Sequence, residues 1–278
     1  MIKAIDIKRF VLGSKIGTNL LSIRENTSLF QAVYKSPEKL GTMANDMLAT
    51  TLVTNICKSN KTFIDIGAHI GSIIACVMQN NPSINIIAVE AIPGKVVKLR
   101  QKFPSAKILP YALGNKEDEV SFFINLDRSG YSSLKKSEKF LDSQMKEITV
   151  SMKKLDALVS LDNIDVIKID VEGAELQVLQ GASNTIQLNR SIIMFESGPE
   201  KIEILNSSKK ALWQLFNNLD YEIYVPNRIA HDNSGLSQEG FIESHIYPRR
   251  TTNYFAIPNE RRIEVRDRAR EILDLKTA

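Results

Sequence analysis

TFIDIGAHIGS, residues 62–72, decides the fold of this 278-residue chain. A short apolar run containing Asp65 ends at Gly67, and a second glycine, Gly71, precedes a segment with helical spacing. In α/β folds, a strand that leads through a glycine turn into a helix binds nucleotide-like ligands, because glycine admits close approach and the helix end offers free N–H groups. The stretch therefore predicts a ligand-binding turn at the carboxyl end of a strand.

Strands and helices alternate outward from this turn. The apolar runs 84–90, 107–113, 165–170 and 191–196 predict further strands, residues 174–188 predict a helix, and 221–225 and 253–257 predict two closing strands. Such alternation indicates a doubly wound, mostly parallel α/β sheet with helices on both faces. Two alternating segments, 120–124 and 148–152, interrupt the rhythm and predict a small β insertion around a polar loop, 127–134.

The length suits one domain with extensions. We predict an N-terminal extension (1–38), a main domain (39–258) and a charge-rich C-terminal helix (259–278), which is a candidate homodimer contact. A net charge of +4 does not by itself indicate a nucleic-acid partner. Two cysteines are too few for a disulfide framework, and no membrane span or signal peptide is evident, so we expect a cytoplasmic protein.

Acidic residues close successive predicted strands. Asp65, Glu90, Asp170 and Glu196 should meet at one edge of the sheet, where Glu90 can accept both hydroxyls of a ribose. The turn lacks the Gly-x-Gly-x-x-Gly pattern of dinucleotide sites, and the chain has no Gly-Lys-Ser/Thr phosphate loop. Carboxylates favour a cationic ligand over a polyphosphate. S-adenosylmethionine, which has a sulfonium, an ammonium and a ribose, fits these features.

Five segments, FIDIGAHIGS, AVEAIP, YALGN, KKLDAL and KIDVEGAE, occur in the order that resembles the FkbM family of S-adenosylmethionine-dependent methyltransferases. KIDVEGAE is the most specific of them. The resemblance implies a Rossmann-like class I methyltransferase fold whose seven-stranded sheet has a reversed last strand. It also implies methylation of hydroxyl groups on sugars, glycans or other small molecules. The family often has asparagine where this chain has His69.

The resemblance also implies roles for particular residues. The cofactor turn should comprise Asp65, Gly67, Ala68, His69, Gly71 and Ser72, with Glu90 at the ribose, Ala91, Ile92, Ala112 and Leu113 at the adenine, and Asp170 at the methionine portion.

The reaction needs a group that accepts the hydroxyl proton. We rank Glu172 first and Asp170 second as catalytic residues, although Glu172 could instead hold the Gly173 turn. Candidates for acceptor binding are Tyr131, Ser132 and Ser133 in the polar loop, Glu196 at a strand end, and His231 and His245 in the long link 227–252. Asp170 with Glu196 could ligate a divalent metal, but no complete set of oxygen ligands is evident, so we predict no metal.

Two other functions stay open. One is methylation of RNA or protein, against which the chain shows no base-flipping motif, catalytic cysteine pair or basic stripe. The other is a non-catalytic cofactor-binding scaffold, against which the cofactor-facing positions are chemically intact. The favoured function is O-methylation of a small-molecule or saccharide acceptor, without a nucleic-acid partner.

Overall fold

The computed structural model describes residues 27, 29–127, 132–134, 144–159, 162–198 and 202–275. Ten strands lie in these ranges: β1 Thr62–Ile66, β2 Asn85–Val89, β3 Lys107–Leu109, β4 Ala112–Leu113, β5 Asp118–Asn125, β6 Met145–Lys153, β7 Ile164–Ile169, β8 Ile192–Glu196, β9 Tyr221–Tyr224 and β10 Asn253–Pro258. The α-helices with defined bounds are α1 Leu40–Val53, α2 Ser72–Asn80, α3 Pro93–Lys102, α4 Glu175–Gln180, α5 Ser183–Asn189, α6 Ile202–Asn218, α7 Gln238–Glu243 and α8 Arg262–Ile272.

Seven strands form one sheet in the order β3-β2-β1-β7-β8-β10-β9. The first five strands in this order are parallel, whereas β10 is antiparallel to both of its neighbours. The reversal falls on the last strand of the chain. This topology confirms the predicted doubly wound α/β fold with a reversed last strand.

A second sheet, β4-β6-β5, forms the predicted β insertion. It takes two residues from the predicted third strand, because that run, 107–113, divides at Pro110 into β3 and β4, which belong to different sheets. Proline has no N–H group to donate to a ladder, so a strand commonly ends there. The division brings Ala112 and Leu113 beside β6, with which β4 pairs in parallel.

Both faces of the large sheet are covered by apolar clusters. One cluster includes residues of α1, α2, α3 and α8, and the other includes residues of α4 to α7. Helix α8 belongs to the C-terminal segment that was predicted as charged, and its Val265 and Ala269 are completely buried against the first face. Ile263 of the same helix is exposed.

The long link 227–252 is folded onto the domain. The Asp46 carboxylate of α1 accepts hydrogen bonds from the Thr251 hydroxyl at 2.8 Å and from the Thr252 hydroxyl and N–H, each at 2.9 Å. Arg262 of α8 stacks over the Tyr224 ring at 4.3 Å and donates to the carbonyl oxygen of Ile229 at 2.7 Å. Among the helices described, none is long and apolar enough to span a membrane.

Candidate functional site

A cavity of about 450 Å³ opens at the carboxyl ends of β1, β2, β7 and β8. This is the edge at which doubly wound sheets bind ligands, and the volume lies within the usual range for small-molecule sites. Most of the predicted site residues line it: Asp65, Gly67, Ala68, His69, Ser72, Glu90, Ala91, Ile92, Ala112, Leu113, Ser132, Asp170, Glu172 and Glu196.

The turn after β1 depends on left-handed backbone conformations. Gly67 has φ 78°, and a Cβ atom there would lie 1.8 Å from the carbonyl oxygen of Asp170. Only glycine therefore permits the ends of β1 and β7 to approach this closely. His69 also has a positive φ, 51°. Histidine and asparagine tolerate this conformation better than most residues, so His69 suits this position of the turn.

Gly71, predicted to contact the cofactor, does not line the cavity. It has φ 77°, and a Cβ atom there would lie 2.3 Å from the Phe103 ring and 2.9 Å from the Leu99 side chain. The close packing of α3 against the start of α2 accounts for this glycine. Gly71 thus shapes the turn from outside the cavity, and its assignment to the cofactor site stays a prediction.

Glu90, at the end of β2, is a buried carboxylate held by the backbone. Its Oε2 accepts the His69 N–H and its Oε1 accepts the Ile92 N–H, both at 2.9 Å. Burial raises the pKa of Glu90, while nearby Lys95 and these two N–H groups oppose the shift. Each oxygen retains a lone pair for a further donor, so the side chain is oriented to accept hydroxyl groups from the cavity.

Lys168, the second-to-last residue of β7, bridges two of the strand-end acids. Its Nζ lies 3.1 Å from Asp65 Oδ1 and 3.3 Å from Asp170 Oδ2. Burial disfavours the ammonium, but the two carboxylates outweigh it and raise the pKa of Lys168 above its usual value. Burial raises the pKa of Asp65, and Lys168 opposes that shift. The three groups therefore form one ionic row across β1 and β7, buried at Asp65 and Lys168 and open to the cavity at Asp170.

Three carboxylates meet beyond this row. Oxygen atoms of Asp170, Glu172 and Glu196 all lie within 4.8 Å of one another. Burial, the hydrogen bond with Asp170 and neighbouring negative charges raise the pKa of Glu196 to about 10. Burial would also raise the pKa of Asp170, but Lys168 and the hydrogen bond with Glu196 together lower it. Glu196 and Asp170 therefore share one proton at neutral pH, and Glu196 carries it.

The spacing of these three oxygens is also within reach of a single divalent ion. Acidic groups are often this close without one, and the shared proton already relieves their repulsion. That the site needs no metal stays a prediction.

The β insertion closes one side of the cavity. Ala91, Ala112 and Phe122 pack in a small apolar cluster together with Ile92 and Leu134. Ser132 lines the cavity, and its hydroxyl accepts the Asn125 N–H at 3.1 Å. The cavity therefore has an apolar wall opposite its acidic end.

Several predicted acceptor-binding residues are not brought to the cavity. Ser133 is buried in a bridge to Phe123 of β5, and Tyr131 lies outside the described residues. His231 lies in the part of the link held by α8, where its carbonyl oxygen accepts from Arg262. His245 is 3% exposed.

The surroundings of His245 give it a structural role. Its Nδ1 bonds to the Phe241 carbonyl oxygen at 2.7 Å, and its Nε2 to the Ser197 hydroxyl at 2.9 Å. Burial lowers the pKa of His245 to about 4, so the ring is neutral at physiological pH. Neither His231 nor His245 lines the cavity, so the assignment of these two residues to acceptor binding stays a prediction.

Several residues that line the cavity were not predicted from the sequence, among them Thr50, Lys95, Tyr111, Phe122, Leu134, Lys168, Met194 and Asn253. The sequence could have indicated Lys168, because a lysine within the apolar run 165–170 must find a buried counter-charge. No sequence pattern indicates Thr50 or Asn253, since only the folded chain brings α1 and β10 to this edge.

The cavity fits S-adenosylmethionine. Both carboxylate oxygens of Asp65 are buried without a hydrogen bond of good geometry, although Lys168 is at ion-pair distance. Such oxygens suit a donor from a ligand. Glu90 is oriented for ribose hydroxyls, and Ala91, Ile92 and Ala112 offer an apolar surface for adenine.

Comparison with known proteins identifies the family. The model of the methyltransferase FkbM domain matches residues 65–223, more than half of the chain. A comparison with curated protein sequences gave no significant match.

Solved structures that are similar in fold include three methyltransferases. The methyltransferase FkbM from Methylobacillus flagellatus is 15% identical, with a TM-score of 0.43, and the alignment covers 71% of this chain but only 43% of that one. A TehB-like S-adenosylmethionine-dependent methyltransferase from Corynebacterium glutamicum is 11% identical, with a TM-score of 0.37 and coverage of 76% and 85%. A methyltransferase from Thiobacillus denitrificans in complex with S-adenosyl-L-homocysteine is 11% identical, with a TM-score of 0.35 and coverage of 64% and 65%.

Neighbours this distant carry no argument about the site, so the assignment depends on the family match together with the strand order and the cavity described above. The cofactor is S-adenosylmethionine. The chain belongs to the FkbM family of methyltransferases.

Proposed function

We propose that the protein transfers a methyl group from S-adenosylmethionine to a hydroxyl group of a sugar, a glycan or another small acceptor. The observation that carries this proposal is the meeting of Asp170, Glu172 and Glu196 at the open end of the cofactor cavity. An alcohol needs a proton acceptor when it attacks carbon, and the carboxylates at this point can accept a proton.

When bound, the cofactor supplies an electrophilic methyl group on a sulfonium. Glu90 would hold the ribose, Asp65 the ammonium end of the methionine portion, and the apolar wall the adenine. The protein must then place the acceptor oxygen about 3 Å from the methyl carbon, behind the sulfur. Thr50, Met194 and Asn253 line the cavity and are proposed to shape the acceptor side.

Glu172 is the proposed proton acceptor. Asp170 is already engaged by Lys168 and Glu196, and Glu196 carries a proton at neutral pH, so neither is well suited to accept another. Glu172 lies half-buried at the cavity with φ 55°, in the turn that follows β7. We propose that its carboxylate takes the hydroxyl proton late in the transfer.

The experiment is methyl transfer from labelled S-adenosylmethionine to a panel of mono- and oligosaccharides and polyols. Glu172→Gln should lower kcat by about 100- to 10,000-fold, the usual contribution of a general base, while leaving cofactor affinity within about threefold. Glu117→Gln, in the β insertion at an exposed ion pair with Lys153, is the matched control and should keep full activity. Wild-type transfer that is undiminished in Glu172→Gln would contradict the assigned role.

The same assay separates the alternative functions. Transfer to RNA or to protein, with none to hydroxylated small molecules, would replace the proposed acceptor class. Cofactor binding without transfer to any acceptor class would favour a non-catalytic scaffold.

We also propose a cytoplasmic location and a small-molecule or saccharide partner rather than a nucleic acid. The location is supported by Cys57 and Cys76, which are both free thiols. A homodimer through α8 is a separate proposal. It is weakened because Val265 and Ala269 are buried within the same chain, and light scattering tests it.

A further inference from the structure

Lys168 is a buried cation that the proposed reaction does not use directly. It projects from β7 on the same side of the sheet as Asp65, its registered partner on β1. Its Nζ lies at ion-pair distance from Asp65 Oδ1 (3.1 Å) and Asp170 Oδ2 (3.3 Å), and it donates a hydrogen bond to the Gly67 carbonyl oxygen at 3.4 Å. One ammonium group thus joins the first motif, at the end of β1, to the KIDVEGAE motif, at the end of β7.

We propose that Lys168 is a positioning residue of the cofactor site: its ammonium group fixes the carboxylates of Asp65 and Asp170 and offsets one of their two negative charges. The row of Asp65, Lys168 and Asp170 then has a net charge of minus one. S-adenosylmethionine has an ammonium, a sulfonium and a carboxylate, and so a net charge of plus one. The row and the cofactor are therefore matched in charge.

The environment makes this compensation necessary. Asp65 is 1% exposed, and an isolated buried carboxylate would take up a proton rather than stay charged. Without Lys168, one of the two acids should be protonated in the free protein, and a cation could bind well only after that proton is released. Other charged or titratable groups around the row also influence which of its acids are ionised: His69, Glu90, Lys95, Glu172, Glu175 and Glu196.

The test is S-adenosylmethionine affinity, measured by isothermal titration calorimetry at pH 6, 7 and 8. Lys168→Gln should bind about 10- to 100-fold more weakly than wild type at pH 6, as is typical when a partner that orients a ligand-binding group is lost. The deficit should shrink as the pH rises, because the second carboxylate then ionises. Expressing each result as a ratio to wild type cancels the ionisation of the ligand itself.

Two further variants isolate the role. Lys58→Gln is the matched control, because Lys58 Nζ also forms an ion pair, with Glu264 at 2.7 Å, but Lys58 does not line the cavity. It should bind like wild type at each pH. Lys168→Arg keeps the charge and should lose less than tenfold in affinity, with a ratio to wild type that is independent of pH.

If Lys168 had only a structural role, Lys168→Gln would lower the melting temperature without changing the affinity of the folded protein for S-adenosylmethionine. Wild-type affinity in folded Lys168→Gln at all three pH values would therefore overturn the inference. If Lys168→Gln does not fold, Lys168→Arg is the deciding variant. A ratio of its affinity to that of wild type that changes with pH would overturn the inference. The inference rests on the cofactor part of the proposed function, and absence of binding by the wild type would contradict that part instead.

Discussion

Replacing Glu90 by glutamine tests the cofactor site most directly. Both carboxylate oxygens accept backbone N–H groups at 2.9 Å, one from the turn after β1 and one from the start of α3. A glutamine has a single acceptor oxygen, so its NH₂ group must face one of these two donors. The buried donor left without an acceptor lowers the folding stability of free and bound protein alike, by about 1–3 kcal/mol. The loss of the charged acceptor for the ribose hydroxyls lowers the affinity, because a hydrogen bond to a charged group contributes about 1.5–3 kcal/mol.

We expect Glu90→Gln to lose about 2–3 kcal/mol of binding free energy, which is roughly a 30- to 150-fold weaker affinity for S-adenosylmethionine. Isothermal titration calorimetry measures the affinity, and thermal unfolding shows whether the variant is folded. Asp165→Asn is the matched control: Asp165 is also buried and accepts the Lys58 N–H at 2.7 Å, but it does not line the cavity. It should lower the melting temperature only. A folded Glu90→Gln that binds within threefold of wild type would refute the assignment of Glu90 to the ribose.

Three further predictions concern the turn, the shared proton and metals. His69→Asn should keep cofactor affinity, whereas His69→Val should lose about 1–2 kcal/mol of folding stability, because a β-branched residue is strained at φ 51°; chemical denaturation measures the difference. Glu196 has a pKa of about 10 in the folded protein, well above its value in the unfolded chain. Between these two pKa values the folded state binds one more proton than the unfolded state, so the stability of the wild type should fall as the pH rises through this window. Glu196→Gln, which is always neutral, should show a shallower decline in melting temperature from pH 6 to pH 9, and an unchanged slope would contradict the protonated state. Treatment with EDTA should leave methyl transfer unchanged, and activity lost and then restored by magnesium would show that a metal is needed.

The fold could be predicted from the sequence because its strands are short apolar runs that end in glycine or in an acid. Two boundaries were not predicted: the division of the run 107–113 at Pro110, and the division of the segment 174–188 into the helices α4 and α5. Gly181 lies between these two helices, where a Cβ atom would be 1.9 Å from the Gly114 carbonyl oxygen. That contact joins residues far apart in sequence, so local periodicity cannot indicate it.

The acidic end of the cavity was predictable for a topological reason. Parallel strands place their carboxyl ends at one edge, so Asp65, Glu90, Asp170 and Glu196 had to be neighbours there. The histidines were not predictable, because the position of His245 depends on how the link 227–252 folds against β8 and β10. A long polar link does not specify its own path.

The acids at the cavity acquire different roles from their neighbours rather than from their own chemistry. Lys168 lowers the pKa of Asp170, whereas burial and the adjacent negative charges raise that of Glu196, so the pair titrates as a unit with one proton. A second proton on this pair would have to neutralise Asp170 against the attraction of Lys168. If the acceptor is a hydroxyl group, as we propose, its proton needs another base, and we assign that role to Glu172, whose carboxylate the turn after β7 holds within 4.8 Å of both. On this argument, Glu196→Gln should retain much of the activity, because glutamine keeps a neutral donor beside Asp170, whereas Glu172→Gln should not.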